Sequence, residues 1–258
     1  YNSDFHETAV YQTLLRYYPS LRILLYENSQ EPLNKGYESP TALYYHDMAN
    51  GGVSAAYNYG AMLARQQGNV GSLLLLDEDT TFNSDYISKI EEKLDLYQDI
   101  CLFVPQIFFL NNTPFSPNCR QFRLHRGVCL DEGIYSLKRY LPVNSGACVR
   151  LKAFEKSGGY NNKIRLDFAD FDFFSRLAVV SERFYLVNSI AKQSFSNEEI
   201  QKDRLFQRFK LYLEGAKTAK SNEHIRNWVL FDMIRHTLAL SVRTKSLDFV
   251  SYLFKNFR

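Results

Sequence analysis

The sequence has little cysteine. Its four cysteines, Cys101, Cys119, Cys129 and Cys148, form no C-x-x-C pair. That spacing excludes the common zinc-ribbon and thioredoxin-like patterns. A chain of 258 residues buries enough surface to fold without disulfides. A reducing cytoplasm is therefore the expected setting. No stretch approaches the ~18 consecutive apolar residues of a membrane span. No secretory leader is visible. No internal repeat occurs, which excludes a solenoid. No low-complexity tract occurs, which argues against a disordered chain. No Gly-rich basic loop suited to cradling phosphates lies within residues 1–30.

What is present is a globular composition. Apolar residues make up 45% and aromatics 15%, with 18 Tyr and 20 Phe. That suffices for one sizeable core, or a core with a small accessory piece. The net charge of +3 names no partner by itself, but its placement is uneven. Residues 202–258 hold 12 basic and 5 acidic side chains, and the preceding 201 hold 19 and 23. A basic tail behind an acidic body suits an anionic surface such as lipid headgroups or nucleic acid. It also suits a solvated helical face.

Apolar runs at Leu21–Tyr26, Leu73–Leu76, Ile100–Gln106 and Phe184–Val187 read as strands. Helical patterns at 53–67 and 85–96 alternate with them. That rhythm predicts an α/β fold built on a mostly parallel sheet flanked by helices. Residues 111–142 lose the rhythm. From about residue 200 the periodicity is helical to the end, with Trp228, Phe231, Ile234, Leu238 and Val242 marking one segment. This predicts a core over 1–200 and a basic, aromatic-rich helical extension over 201–258.

Two acidic clusters stand out. Leu73-Leu74-Leu75-Leu76-Asp77-Glu78-Asp79 puts carboxylates where a strand buried on both faces would end. In open α/β sheets ligands bind beyond such ends. Neighbouring carboxylates repel unless a cation sits among them, and oxygen donors suit Mg²⁺ or Mn²⁺. A solvated turn is the plainer reading. The second cluster is Asp167-Phe168-Ala169-Asp170-Phe171-Asp172. Acids in a first helical turn are favourable by themselves. A carboxyl desolvated between Phe168 and Phe171 would also have its pKa raised toward that of a working base.

Six short motifs occur in order: Tyr1-Asn2, Glu27-Asn28-Ser29, Asn50-x-Gly52 with Asn58-x-Gly60, Asp77-Glu78-Asp79, Asn144-Ser145-Gly146 and Asp170-x-Asp172. Together they resemble the family-2 glycosyltransferases of GT-A fold, within them the rhamnosyltransferase-like branch that builds bacterial surface polysaccharides. The match spans roughly residues 1–195. The resemblance implies an inverting, metal-dependent transfer of a sugar from a nucleotide-sugar, dTDP-rhamnose or a UDP-hexose, to a hydroxyl of a glycan or lipid-linked acceptor. Tyr1, Asn2, Glu27, Asn50, Gly52, Asp77, Ser145 and Gly146 would meet the nucleotide-sugar. Asp77 and Asp79 would hold the metal. Asn144 and Asp172 would lie toward sugar and acceptor, and Asp170 would be the general base.

Three departures accompany the resemblance. Glu27 stands where the family has Asp. Gln193 stands about where it carries a metal-side His. The family's first strand does not precede Tyr1, so a longer natural chain is expected. The extension suits a peripheral contact with the inner face of a cell membrane, packing on the core, or a homo-oligomer contact. No nucleic-acid module is apparent. The alternatives are a nucleotidyltransferase and a non-catalytic carbohydrate- or nucleotide-binding relative.

Overall fold

The apolar runs become strands and the periodic segments helices. The computed structural model describes residues 3–121, 124–194 and 201–257. Tyr1 and Asn2, assigned above to the nucleotide, lie outside them. Helix α1 (Ala9–Thr13) precedes strands β1 (Ile23–Glu27) and β2 (Ala42–His46) and helix α2 (Gly52–Gln67). Then come β3 (Ser72–Leu74), β4 (Thr80–Phe82), α3 (Tyr86–Leu96) and β5 (Leu102–Phe109). The stretch without rhythm holds five short strands: β6 (Pro114–Ser116), β7 (Asn118–Gln121), β8 (Leu124–Gly127), β9 (Gly133–Ser136) and β10 (Tyr140–Leu141). Next are β11 (Cys148–Arg150), α4 (Leu151–Lys156), α5 (Ala169–Val180) and β12 (Arg183–Gln193). Three helices close the chain: α6 (Lys202–Ala219), α7 (Arg226–Thr244) and α8 (Asp248–Asn256).

The architecture is α/β, as expected, and the central sheet is mixed. Its order is β3-β11-β5-β12-β4, with β6 on β5 and β9 on β12. β5 and β12 are parallel, whereas β11 runs against both β3 and β5. The parallel rhythm is broken because Asn144–Ala147 turns the chain back into β11 directly. β3 also differs from expectation. Among the described residues it pairs only with β11, at an edge of the sheet, and Leu73, Leu74 and Leu76 are half-buried. β1 and β2 form a separate parallel pair. Both β1 and β3 border a large cleft.

Alternation along β5 and β12 feeds two apolar layers. Leu102, Val104, Phe184 and Leu186 face one, with Phe154, Phe173, Phe174 and Leu177 from α4 and α5. Phe103, Ile107, Tyr185 and Val187 face the other, with Tyr86, Ile87 and Ile90 from α3. Phe173 is completely buried, which contributes about 2 kcal/mol or more on transfer from water. The first layer continues into α6–α8 through Phe209, Leu213, Ala216, Val229, Met233 and Phe249. The helical segment after residue 201 is thus packed on the same core as α4 and α5.

Asp172, expected toward the acceptor, sits in this packing. It is 3% exposed and does not reach the cleft. Its Oδ2 accepts from Arg176 Nη2 at 2.8 Å and Nε at 3.0 Å, and its Oδ1 from Asn222 Nδ2 at 2.9 Å. The helical i,i+4 spacing brings Arg176 over it, and Asn222 ties α5 to the α6–α7 turn. Removing one partner strands the other charge in a poorly solvated place. Asp172→Ala should therefore cost roughly 2–4 kcal/mol in urea unfolding. A loss below about 0.5 kcal/mol, the range of an ordinary surface change, would contradict this role.

Candidate active site

Asp77 lies just beyond β3 and is tethered from two sides. Its Oδ1 accepts from the Tyr57 hydroxyl of α2 at 2.8 Å. Its Oδ2 accepts from Ser145 Oγ, in the turn before β11. Asn144 Nδ2 in turn donates to the Tyr57 oxygen at 2.9 Å. Hydrogen bonds to a carboxylate are worth about 1.5–3 kcal/mol each. Burial still dominates and raises the Asp77 pKa, against the pull of Ser145 and Tyr57.

Asp79 lies two residues on, and Gln193 at the end of β12 donates to its Oδ1 at 3.2 Å. Burial, and then the Asp77 charge, push its carboxyl up to about 6. Gln193 Oε1 lies 3.5 Å from Ser145 Oγ, whose proton goes to Asp77. Asp77, Ser145, Gln193 and Asp79 thus form one polar chain across the strand ends. Glu78, between Asp77 and Asp79, is exposed at the cleft rim, and its charge adds to the rise of both their pKa values.

Asp170 opens on the same cleft from the first turn of α5. Phe168 just before it is in the left-handed region at φ 71°, which swings the chain into the helix. The Asp170 carboxyl is pushed up to about 7. Burial is the main cause, a hydrogen bond from Phe171 N opposes it, and the Asp77 charge adds to it. Asp167, one turn earlier, is held by Arg208 of α6, with Arg208 Nη2 donating to its Oδ1 at 2.8 Å. Lys163 and Arg165 add positive charge to the cleft wall.

The remaining predicted residues split. Asn50, Gly52, Asn144 and Ser145 line the cleft. Gly52 has φ +75°, and a Cβ there would stand 2.1 Å from Arg165 O, so no other residue fits the close crossing of α2 and the 160–168 loop. Gly146 has a backbone role. Its φ is +80°, its carbonyl accepts from Tyr86 OH, and a Cβ would meet Phe82 at 2.7 Å. Glu27 borders the cleft, but its carboxylate is occupied. It accepts from Leu33 N at 3.0 Å, Asn34 N at 3.1 Å and Tyr44 OH at 2.7 Å. Burial would raise its pKa, but these bonds outweigh burial and hold it at about 2. Glu27 therefore fastens the loop after β1 and offers a base little free acceptor capacity.

Among the described residues, no three His, Cys, Asp or Glu side chains are grouped as a metal cage. The donors fit a more open arrangement. Asp79 faces the cleft beside the Asp77 carboxylate, and all the donors are oxygens of the kind that Mg²⁺ or Mn²⁺ prefers. Such ions are commonly held by one or two carboxylates with ligand phosphates and water completing the shell. The whole cleft encloses about 1670 Å³, room for a ligand larger than most small-molecule sites take.

Sequence reasoning missed Tyr57 and Arg208. Tyr57 shares a helical face with Val53, Gly60 and Ala64, and all four line the cleft. A lone hydroxyl on an otherwise small or apolar face was the available signal. Arg208 had none, because its partner Asp167 is 41 residues away.

No protein-family model matches the chain, and no curated protein matches it in sequence. Solved structures do. GalNAc-T7, crystallised with UDP, GalNAc and Mn²⁺, superposes with a TM-score of 0.56 over 96% of this chain and 52% of its own, at 11% identity. S. aureus TarS 1–349 gives 0.53 over 100% of this chain and 73% of its own, and a longer TarS gives 0.53 over 98% and 44%, each at 11% identity. The fold is that of these glycosyltransferases. The chain spans about half the length of GalNAc-T7 and of the longer TarS.

Asp170 supplies a stability test. Its pKa is above the ordinary 3.8, so the native state holds its proton more tightly than the unfolded state does. Its contribution is thus lost as pH rises from about 4 to about 7. Asp170→Asn should melt several degrees higher than wild type at pH 8, with the gap shrinking at pH 5. Equal midpoints at pH 8 would contradict the desolvated carboxylate.

Proposed function

We propose that this protein is an inverting, metal-dependent glycosyltransferase. It moves a sugar from a nucleoside-diphosphate donor to a hydroxyl of a glycan or lipid-linked acceptor. The observation that carries this is the convergence of Asp170, with its carboxyl near pKa 7, and the Asp77–Asp79 pair in one cleft of a glycosyltransferase fold. The fold alone would not name the chemistry.

Asp79, with Asp77 beside it, would hold Mg²⁺ or Mn²⁺, which when bound neutralises charge developing on the diphosphate. Tyr57 and Ser145 keep the Asp77 carboxylate oriented by occupying one lone pair on each oxygen. Lys163 and Arg165 favour an anionic ligand in the same cleft. Asp170 accepts the proton of the acceptor hydroxyl as that oxygen bonds to the anomeric carbon. The sugar–phosphate bond breaks on the opposite face and the nucleoside diphosphate leaves with the electron pair. One displacement inverts the anomeric centre, and no enzyme nucleophile is required. The resemblance in the sequence motifs supports dTDP-rhamnose or a UDP-hexose as donor and bacterial surface polysaccharide as the setting.

Asp170→Asn should lower transfer by about 10²-fold or more, the usual contribution of a positioned base, while nucleotide affinity stays within about twofold. In the wild type, kcat/KM should rise with pH through about 7 as Asp170 loses its proton. Asp79→Ala should remove the metal dependence of nucleotide binding. Transfer that survives Asp170→Asn with an unchanged pH profile would take Asp170 out of the mechanism.

A further inference from the structure

Helices α7 and α8 carry an apolar surface that the proposed chemistry does not use. Ile234, Leu238 and Val242 recur every fourth residue along α7 and are 51%, 55% and 79% exposed. Leu247, between the helices, is 77% exposed and Phe254 of α8 is 75% exposed. The stripe runs along a groove of about 300 Å³ whose walls include Met233, Leu253 and Phe257. The adjoining side of α7, Val229, Met233, Thr237 and Leu240, is buried. The exposed stripe is therefore a second apolar face of a helix already packed. No helix among the described residues is long and apolar enough to cross a membrane.

The charge around the stripe is mainly basic. Residues 226–257 hold five Lys or Arg and two Asp. Both acids are engaged within the fold. Asp232 accepts from Tyr212 OH at 2.8 Å and from Arg235 at 2.5 Å, and Asp248 pairs with Lys202 at 2.6 Å. Arg243, Lys245 and Lys255 are exposed beside the apolar residues. An apolar stripe parallel to a helix axis, rimmed by cations, fits the boundary between headgroups and acyl chains. Basic residues at that level add attraction to anionic lipid.

We infer that the α7–α8 face docks on an anionic lipid surface, with Ile234, Leu238, Val242, Leu247 and Phe254 entering the acyl boundary and Arg243, Lys245 and Lys255 meeting headgroups. The inference stands apart from the sugar-transfer reading, since it needs neither nucleotide nor acceptor.

The test is co-sedimentation of the full chain with phosphatidylcholine vesicles, with and without phosphatidylglycerol. Two variants accompany it: Ile234→Ser with Leu238→Ser and Phe254→Ser, and Arg243→Gln with Lys245→Gln and Lys255→Gln. Wild type should bind the anionic vesicles, and raised salt should weaken the binding. Each triple variant should partition roughly tenfold less. An unchanged melting midpoint checks that the folds are intact. The charge variant decides alone if the apolar one misfolds. Wild type that ignores anionic vesicles, or variants that bind as wild type does, overturns the inference. So does a wild-type dimer in sedimentation equilibrium that the apolar variant dissolves while vesicle binding is absent, because the face would then belong to a second copy.

Discussion

The carboxylate of Asp77 is where separate parts of the chain meet, and the cleft depends on it. Tyr57 reaches it from α2 and Ser145 from the turn before β11. A poorly solvated carboxylate without partners would be costly. Two hydroxyl donors offset that cost, and in doing so they fix the spacing of α2, the end of β3 and the 144–147 turn. The antiparallel entry of β11 follows from the same turn. Gly146 N donates to Leu75 O at 2.8 Å, and Leu75 N donates to Ala147 O at 2.9 Å, which holds the turn against the strand end.

From this anchor the electrostatics of the site unfold in order. Whenever Asp77 is ionised, its charge acts on its neighbours across poorly solvated space. It helps to raise the pKa of Asp79, two residues along, and that of Asp170, across the cleft. The fold thus places Asp77 where its charge makes both Asp79 and Asp170 harder to ionise. Such an arrangement is destabilising unless a ligand uses it. A cation among the first two would relieve the repulsion. A proton arriving at the third is what a base at neutral pH must accept. Lys163 and Arg165 of the 160–168 loop line the same cleft as these acids.

Much of this was legible in the sequence, and the misses have physical causes. Local patterns carried over well, because helical and strand periodicity are set by neighbours in the chain. The 53–67 periodicity became α2, and the leucine run before the acids became β3, which ends at Leu74, short of Leu76. Long-range choices were less legible. The reversal of β11 and the edge position of β3 depend on pairings made across tens of residues. Asp172 read as a site residue because Asp170-x-Asp172 is a compact motif. In a helix, however, residues two apart face different ways. One carboxylate enters the cleft and the other turns to Arg176 and Asn222. Glu27 was found at the right strand end, but the amides that occupy it come from the loop it closes. Tyr57 was hidden among residues of ordinary helical composition.

The central claim is that Asp77, Asp79 and Asp170 form a site for a metal-bound nucleoside diphosphate. Calorimetric titration with UDP and dTDP, each with Mn²⁺ and again with chelator, tests it most directly. The account predicts saturable binding of at least one of them that is lost or greatly weakened when the metal is chelated. Binding of equal strength with and without metal, or none with either nucleotide, would contradict it.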